Sequence, residues 1–367
     1  MKIICQKINL LKSVNISLKA VPSKTTMPIL ECILIDATTN QIKFTTNDME
    51  LGIETIVDGI IEEKGIIALD AKIFYEIIRR LPDNTVTIKT DEKLTATITC
   101  EKAKFTIPGK SGEDFAYLPL IEKEESLTIS QFTLKEMIRQ TIFSIASNET
   151  NKLMTGELFE IKNNYLKIVS LDGHRIAIRR MELKKDYADR KVVVPGKTLN
   201  EISKILFGDM EDDVRIYFTD RHVLFEFDQT VVVSRLLEGE YFQIDKMISS
   251  DYNTKITINK KELQGCIERA SLLIRESERK PIIINVTDGS MEMKIQSAMG
   301  SMNEDIDISK EGRDIMIGFN PKFILDALRV IDDEEITMYL VNPKAPFIIK
   351  NDEQSYIYLV LPISFNM

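Results

Sequence analysis

A short apolar run, a residue that ends the strand (the break residue) and an amphipathic helix follow one another at three places in the chain. In the middle case the β-branched run 192–194 reaches the break, and the apolar residues of the segment 199–206 then recur at helical spacing. The other two cases are the segments 66–81 and 315–328. The three break residues lie 125 residues apart, at Asp70, Pro195 and Asn320. This spacing predicts an internal repeat, which has to be recognised before any single motif is interpreted.

Other features recur with the same period. A strand pair closed by a polar corner occurs near Asp48 and again near Gly173, which is 125 residues later, while a third version in the segment 293–308 is blurred. Each repeat also opens with a short strand that leads into a helix. We therefore predict an α+β fold of three tandem similar domains, each with two helices packed on β-sheet. The predicted domains are 1–125, 126–252 and 253–367.

Composition narrows the class of protein. The length of 367 residues fits two to three domains of ordinary size. The chain shows no N-terminal targeting pattern and no apolar run of about 18 residues, so it is predicted to be soluble and cytoplasmic, with no membrane partner. Its cysteines are widely spaced without a Cys-x-x-Cys pair, at Cys5, Cys32, Cys100 and Cys266. This spacing predicts buried free thiols, and no metal or cofactor is expected.

Charge is distributed unevenly along the chain. The formal net charge of −9 by itself disfavours nucleic-acid binding. Every predicted helix nevertheless carries more Lys and Arg than Asp and Glu, counted over 8–19, 71–80, 133–147, 196–207, 260–275 and 321–331. A solvated face would explain one such helix, but six in register with the repeat indicate positive helices against acidic strands and loops. Such a surface would attract phosphates without reading bases.

Two enzyme classes fit the sequence poorly. The segments VVVPGKT and IPGKS look like the end of a phosphate-binding P-loop, but Lys191 and Lys104 stand where that loop needs its first glycine. Asp172 and His174 could belong to a catalytic triad, but the chain has only two histidines and no G-x-S-x-G motif. We therefore predict no catalytic residue. A three-repeat interaction scaffold that binds no nucleic acid stays open as an alternative.

Six longer segments, taken in order, carry a family resemblance. They are SKTTMPILECILIDA from Ser23, FTTNDMELGIET from Phe44, SLDGHRIAIRR from Ser170, VVVPGKTLNEI from Val192, GFNPKFILDAL from Gly318 and YLVLPISF from Tyr358. Each is weak alone, but in this order and at this spacing the whole chain resembles the bacterial DNA polymerase III β subunit, the sliding clamp. The resemblance implies a non-catalytic processivity factor that encircles duplex DNA and tethers the replicative polymerase, the clamp loader and repair proteins through short peptides.

The resemblance also implies a head-to-tail homodimer that closes six similar domains into a ring. Ring closure would remove the exposed sheet edges that a single chain leaves at its ends. The implied dimer contacts are Ile73, Phe105, Leu272, Leu273 and Ile274. The candidate phosphate contacts are Lys24, Lys72, Arg79, Arg80, Asn148, Lys152, Lys197, Lys204, Arg275, Arg279 and Lys280.

A partner-peptide cleft between the second and third domains is implied as well. The matching positions are Met154, Leu171, Gly173, His174, Arg175, Ile176, Lys246, Met247, Asn320, Phe323, Pro346, Val360, Leu361, Pro362 and Ile363. This chain departs from the family pattern at Phe242, which stands where the family has proline after the aromatic residue and is followed by Gln243. It also runs on past the usual end with residues 365–367. Both departures concern the rim of the cleft and its peptide preference.

Overall fold

The computed structural model describes residues 1–147, 150–248, 251–275 and 280–365. The chain divides into two compact units, each made of two chain segments. The first unit contains Met1–Leu134 and Lys197–Leu236, and the second contains Lys135–Gly196 and Leu237–Met367. All three cuts fall within the predicted middle domain, so each unit holds one end domain together with part of the middle one.

Six α-helices occur in the described ranges, two for each predicted repeat. They are α1 (Lys7–Ser17), α2 (Ala71–Arg80), α3 (Gln131–Arg139), α4 (Gly196–Ser203), α5 (Lys260–Ser271) and α6 (Pro321–Leu328). The predicted break residues are confirmed at the starts of the second helices. Asp70 caps α2 by accepting a hydrogen bond from the Ile73 amide at 2.8 Å, and Asn320 caps α6 by accepting one from the Lys322 amide at 3.0 Å.

Five of the six predicted helix windows were too long, while the window 71–80 matches α2. The third helix ends at Arg139 rather than near residue 147. The hydroxyl of Thr141 donates to the Met137 carbonyl at 2.8 Å, so a side chain supplies the hydrogen bond to this carbonyl. A short 3-10 turn follows. Counted over observed bounds, α4 carries Lys197 against Glu201 and is neutral, as is α6. The excess of Lys and Arg over Asp and Glu on the helices is therefore smaller than the predicted helix windows indicated.

A 13-stranded antiparallel sheet array forms the first unit. Its order is β10-β13-β14-β15-β4-β3-β2-β6-β9-β8-β7-β1-β5. The strands are β1 (Lys2–Gln6), β2 (Cys32–Asp36), β3 (Ile42–Asn47), β4 (Leu51–Val57), β5 (Gly59–Glu63), β6 (Ile66–Asp70), β7 (Thr85–Thr90), β8 (Thr95–Cys100), β9 (Ala103–Lys110), β10 (Ser126–Ser130), β13 (Asp213–Phe218), β14 (His222–Phe227) and β15 (Thr230–Arg235). The alternating segments of the first repeat are thus confirmed as strands.

Two sheets form the second unit, with orders β11-β12-β24-β23-β22-β16-β20 and β19-β18-β17-β21. The strands are β11 (Gly156–Leu171), β12 (Arg175–Pro195), β16 (Thr254–Asn259), β17 (Ile282–Thr287), β18 (Ser290–Ser297), β19 (Gly300–Asp307), β20 (Ser309–Gly312), β21 (Ile315–Phe319), β22 (Glu335–Leu340), β23 (Phe347–Lys350) and β24 (Tyr356–Val360). Helices packed on antiparallel sheet three times over confirm the predicted α+β class.

Each end repeat has its own apolar core between helices and sheet. In the first repeat, Leu10 and Val14 of α1 and Phe74 and Ile78 of α2 are fully buried over the strands. In the third repeat, Leu263 and Ile267 of α5 are likewise fully buried in one cluster with residues of α6. Burial of these side chains, at about 25 cal/mol per Å² of apolar surface, is the main force that holds the helices on the sheet. All four cysteines lie buried as free thiols, as predicted.

Candidate functional site

The same polar corner is built before β4 and before β12. Asp48 accepts hydrogen bonds from the Leu51 amide at 2.7 Å and the Glu50 amide at 3.0 Å. Asp172 accepts from the amides of the third and second residues after it at 3.1 and 3.0 Å. The equivalent of Asp48 is therefore Asp172, and the sequence match of Asp48 to Gly173 was wrong by one residue. Gly173 instead has φ +86°, the left-handed conformation that glycine adopts without strain.

The strand after each corner pairs with the last strand of the following repeat. The Glu50 carbonyl accepts from the Arg235 amide at 2.9 Å, which begins the pairing of β4 with β15. The His174 carbonyl accepts from the Leu361 amide at 2.9 Å, which begins the pairing of β12 with β24. In both cases the carbonyl belongs to the second residue after the corner aspartate. The two junctions between repeats, one inside each compact unit, therefore have the same register.

Arg175 lies at the centre of the second junction. Its guanidinium donates through Nη1 to Asp326 Oδ2 at 2.7 Å, through Nε to Asp172 Oδ2 at 3.0 Å and through Nη2 to the Phe143 carbonyl at 2.5 Å. The guanidinium carbon also lies 4.6 Å from the ring centroid of Phe323. Arg175 is 7% exposed, so this charge is almost entirely neutralised and hydrogen-bonded by protein groups.

An apolar surface adjoins this arginine. Leu171 and Ile176 are buried in one cluster, against which Met154 and Phe242 are partly buried. The exposed ring of His174 lies 6.0 Å from that of Phe323, measured between centroids. The structure therefore brings together the middle-repeat cleft residues and the start of α6. The side chain of Asn320 caps that helix and is therefore already hydrogen-bonded.

The other predicted cleft positions lie on the neighbouring chain segments. Lys246 and Met247 are exposed and end a 3-10 turn that places Ile244 in the same apolar cluster. Leu361 is 38% exposed just after β24, and the Ile363 amide donates to the Gly318 carbonyl at 2.8 Å. The partly buried positions are Pro346, Pro362 and Ile363. Val360 is different, because it is 1% exposed and belongs to the core of the third repeat.

The predicted phosphate contacts are exposed wherever the structure describes them. In the first unit these are Lys24, Lys72, Arg79, Arg80, Lys197 and Lys204, and in the second they are Lys152, Arg275 and Lys280. Asn148 and Arg279 lie outside the described residues. Several of the positive charges already have a carboxylate partner. Arg79 and Arg80 pair with Glu76 at 2.8 and 3.1 Å, while Lys197 pairs with the buried carboxylate of Asp48.

The predicted dimer residues divide into two classes. Ile73, Phe105 and Leu272 are large apolar side chains with 51%, 40% and 74% of their surface exposed. Leu273 and Ile274 are partly buried against the core of their own repeat. A substitution at Leu273 would therefore also disturb that core, so Leu272 is the better position for testing an interface.

Sequence reasoning missed three groups that the structure makes prominent. Asp326 and Phe143 complete the surroundings of Arg175, although neither stands in a recognisable motif. Glu157 of β11 is fully buried, and neither of its carboxylate oxygens has a hydrogen-bond partner among the described residues. Burial raises the pKa of Glu157 to about 8, an effect that the nearby Thr141 hydroxyl only partly offsets. No sequence signal distinguished Glu157, because the same strand also carries Glu160, Lys162 and Lys167.

The comparisons with known proteins bear on all three repeats. Family models described as the N-terminal, central and C-terminal domains of the DNA polymerase III beta subunit match residues 1–119, 128–243 and 245–364. The chain belongs to the DNA polymerase III β-subunit family. It is thus a DNA sliding clamp, an accessory subunit that confers processivity rather than a catalytic polymerase.

Individual relatives of this clamp extend over its full length. Beta sliding clamps of Staphylococcus epidermidis and Staphylococcus aureus are each 34% identical, over 96% and 95% of both chains respectively. A putative DNA polymerase III beta subunit structure from Eubacterium rectale is 67% identical with a TM-score of 0.97, covering 100% of both chains. The Bacillus subtilis sliding clamp structure is 34% identical with a TM-score of 0.96 and the same coverage.

Two features are absent from the residues that the structure describes. No helix there is long and apolar enough to cross a membrane. Within the same ranges, no group of three or more His, Cys, Asp and Glu side chains is arranged to hold a metal ion.

Proposed function

We propose that two copies of this clamp close head to tail into a ring around duplex DNA in the bacterial cytoplasm. The three repeats, with boundaries at 1–125, 126–252 and 253–367, are its domains. The ring would hold DNA by topology and would carry the replicative polymerase, the clamp loader and repair proteins through peptides bound in the cleft. The observation that carries this proposal is the junction between domains, which occurs twice within the chain with the same strand register. The same register can be applied to the third domain of one copy and the first domain of another.

Equivalent residues in the first and third repeats can be identified from the strand pairing. In each repeat, the paired residues are followed from strand to strand, beginning at the strand that precedes the second helix. In the first repeat the pairs lead from Ile67 through Ile35 and Phe44 to Thr55 of β4. In the third repeat they lead in the same way to Glu304 of β19. The third-repeat counterpart of β4 is therefore β19. It lies at the end of its sheet, so its outer edge has no partner strand in the described part of the chain.

The counterpart of β15 in the first repeat is β9. Thr230 and Ala103 are equivalent, because each follows a two-residue turn and pairs back across it, with Phe227 and Cys100 respectively. Within the described ranges β9 meets β6 only at its end, through Gly109 and Lys110. Residues 103–108 therefore offer a second strand edge.

These equivalences define the register of the proposed interface. Thr55 lies opposite Thr230 within the chain, so Glu304 should lie opposite Ala103 of the other copy. Two residues along each strand, Met302 should then lie opposite Phe105. Directly opposite residues in an antiparallel pair have Cβ atoms about 4.5–5.5 Å apart. The exposed apolar side chains named above as dimer contacts are suited to an interface core of this kind.

The exposed basic side chains support the DNA part of the proposal. They can attract the phosphate backbone without base recognition, as a protein that slides requires. The apolar surface beside Arg175 supports the peptide part, because an apolar floor with a few fixed polar groups suits a short extended peptide. A three-repeat scaffold without DNA is the competing hypothesis, and it requires no retention on circular DNA.

A cysteine pair tests the interface register. The Phe105→Cys/Met302→Cys double variant should form intermolecular disulfides on mild oxidation and run as a covalent ring in a non-reducing gel. Thr106→Cys/Met302→Cys is the matched control, because the neighbouring residue on β9 points to the opposite sheet face. Equal cross-linking of both variants, or a solution mass of one chain at micromolar concentration, would refute the proposed closure.

The cross-linked ring then tests encirclement. Once loaded on circular duplex DNA and oxidised, it should stay bound in high salt until the circle is cut. Equal loss from circular and linear DNA would favour the scaffold hypothesis over the clamp.

A further inference from the structure

Three large apolar side chains are exposed where α3 begins and the segment after α4 passes it. Phe132 is 45% exposed, and Phe207 and Met210 are each 64% exposed. We call these three residues the Phe207 patch. Single exposed apolar residues are ordinary, but a group of aromatic and thioether side chains on one surface is characteristic of an interaction site. The patch shares no residue with the cleft, the candidate phosphate contacts or the dimer residues, although Lys204, a candidate phosphate contact, lies three residues before Phe207.

The backbone beneath the patch is held by a buried side chain. Gln131 is 1% exposed, accepts a hydrogen bond from the Gly208 amide at 3.1 Å and donates one to Asp228 at 3.1 Å. The turn is closed by the Asp209 amide, which donates to Asp212 at 2.9 Å. These bonds tie the segment that carries Phe207 to the start of α3. A surface fixed in this way loses little conformational entropy when a partner binds.

Contacts to sulfur fix Met210 in the same place. Its Sδ atom lies 3.9 Å from the Ser130 hydroxyl and 3.8 Å from the Thr133 hydroxyl, so the side chain lies against the start of α3, the helix that carries Phe132. Methionine can adapt its shape to different apolar partners while it stays anchored.

Negative charge surrounds the patch. The segment that carries it holds exposed carboxylates, and Asp228 adds another through its bond to Gln131; together they are Asp209, Glu211, Asp212, Asp213 and Asp228. None of these five makes an ion pair within the described ranges. The basic residues on either side of the segment 207–213 each have a carboxylate partner, because Lys204 pairs with Glu201 at 2.8 Å and Arg215 with Glu226 at 3.8 Å. The uncompensated carboxylates will therefore attract cations and repel phosphates.

We propose that the Phe207 patch docks a basic segment of a protein partner, with Lys or Arg residues on either side of bulky apolar anchors. The apolar side chains would receive the anchors, and the surrounding carboxylates would pair with the flanking basic residues. The negative rim disfavours DNA at this surface. The same rim distinguishes it from the cleft, whose exposed border includes His174 and Lys246. The inference is independent of ring closure and of peptide binding in the cleft.

A library of random short peptides displayed on phage tests the proposal without prior choice of a partner. The library is panned on the full chain and counter-selected against the Phe207→Ala/Met210→Ala double variant. The recovered sequences should be enriched in Lys and Arg next to Phe, Leu or Met. A library with no enrichment, or with acidic sequences enriched, would overturn the proposal.

A synthetic peptide with the recovered consensus sequence then gives the affinities. Phe207→Ala/Met210→Ala should raise its Kd at least about ten-fold, as loss of interface anchors does. Asp209→Asn/Glu211→Gln should also raise Kd and should reduce the salt dependence of binding, because fewer charges remain to be screened. Ile60→Ala is the matched control, since Ile60 is 63% exposed on β5 and should leave Kd unchanged.

Circular dichroism establishes that each variant is folded. Unchanged Kd in folded patch variants would overturn the proposal. So would a changed solution mass of the Phe207→Ala/Met210→Ala variant, which would show that a second copy of the chain covers the patch. Weakened retention of that variant on circular DNA would assign the surface to DNA and would overturn it too.

Discussion

Arg175 donates to Asp326 across 2.7 Å, from the strand after the second corner to the last helix of the chain. Both side chains are nearly buried, at 8% and 16% exposure. Removal of Asp326 takes one of two carboxylate partners from the buried guanidinium and leaves only Asp172, so the cost should fall at the lower end of the about 3–5 kcal/mol for breaking a buried pair. We therefore expect Asp326→Ala to lower the free energy of unfolding by about 3 kcal/mol in urea denaturation.

A double-mutant cycle distinguishes this ion pair from simple packing. Arg175→Met alone should also destabilise the chain, while Arg175→Met/Asp326→Ala should lose clearly less than the two single losses combined. Arg329→Ala is a control, because Arg329 lies 3.9 Å from the other Asp326 oxygen and is itself 56% exposed. Strict additivity of the Arg175 and Asp326 substitutions would contradict the pairing.

Glu157 should make stability depend on pH. Burial raises its pKa from 4.5 to about 8, so between these values the folded chain holds a proton that the unfolded chain has released. Stability from this group is complete below about pH 4.5 and is lost as pH rises toward 8. Glu157→Gln stays neutral, so its advantage in unfolding free energy over the parent should grow across this range, reaching at most about 5 kcal/mol. An advantage independent of pH would show that Glu157 is ionised in the folded chain.

The ion pair between Lys197 and Asp48 should weaken the role of Lys197 in DNA binding. Lys24 and Lys72 make no ion pair within the described ranges, so each is available to a phosphate. Lys24→Ala and Lys72→Ala should each reduce the salt slope of duplex binding by about 0.9, the value for one phosphate contact. Lys197→Ala should reduce it less. Filter binding over a salt series measures these slopes, and an equal effect at all three positions would contradict the expectation.

The cleft should lose peptide affinity when its exposed apolar side chains are shortened. A peptide with a glutamine and two apolar anchors is expected to bind with a Kd of roughly 1 μM, about −8 kcal/mol. Met247→Ala/Leu361→Ala should weaken this by about 2 kcal/mol or more, measured by calorimetry, because both side chains are exposed and well placed to contact a ligand. Retained dimer mass and DNA retention are the controls. An unchanged affinity would direct attention to the segment around Phe242.

Local patterns gave most of the architecture. The breaks at Asp70, Pro195 and Asn320 could be recognised because capping and amphipathic helices depend on neighbouring residues. Local competition also explains the errors. The third helix is shorter than predicted, and the Thr141 hydroxyl just after its end takes up the Met137 carbonyl. The counterpart of Asp48 is Asp172 rather than Gly173, because backbone hydrogen bonds rather than residue counts define the corner.

The sequence by itself determined three α+β repeats, their second helices and the exposed basic residues, because each of these depends on contacts within a short stretch of chain. Only the tertiary structure decided which charges are compensated. Asp48 and Lys197 are 149 residues apart, and Arg175 and Asp326 are 151 apart, so no periodic pattern links the partners. The burial of Glu157 and the position of Met210 against the start of α3 were decided at the same level. Such contacts form only after whole strands and helices have packed, and the favourable burial and pairing energies then act between residues that the sequence leaves far apart.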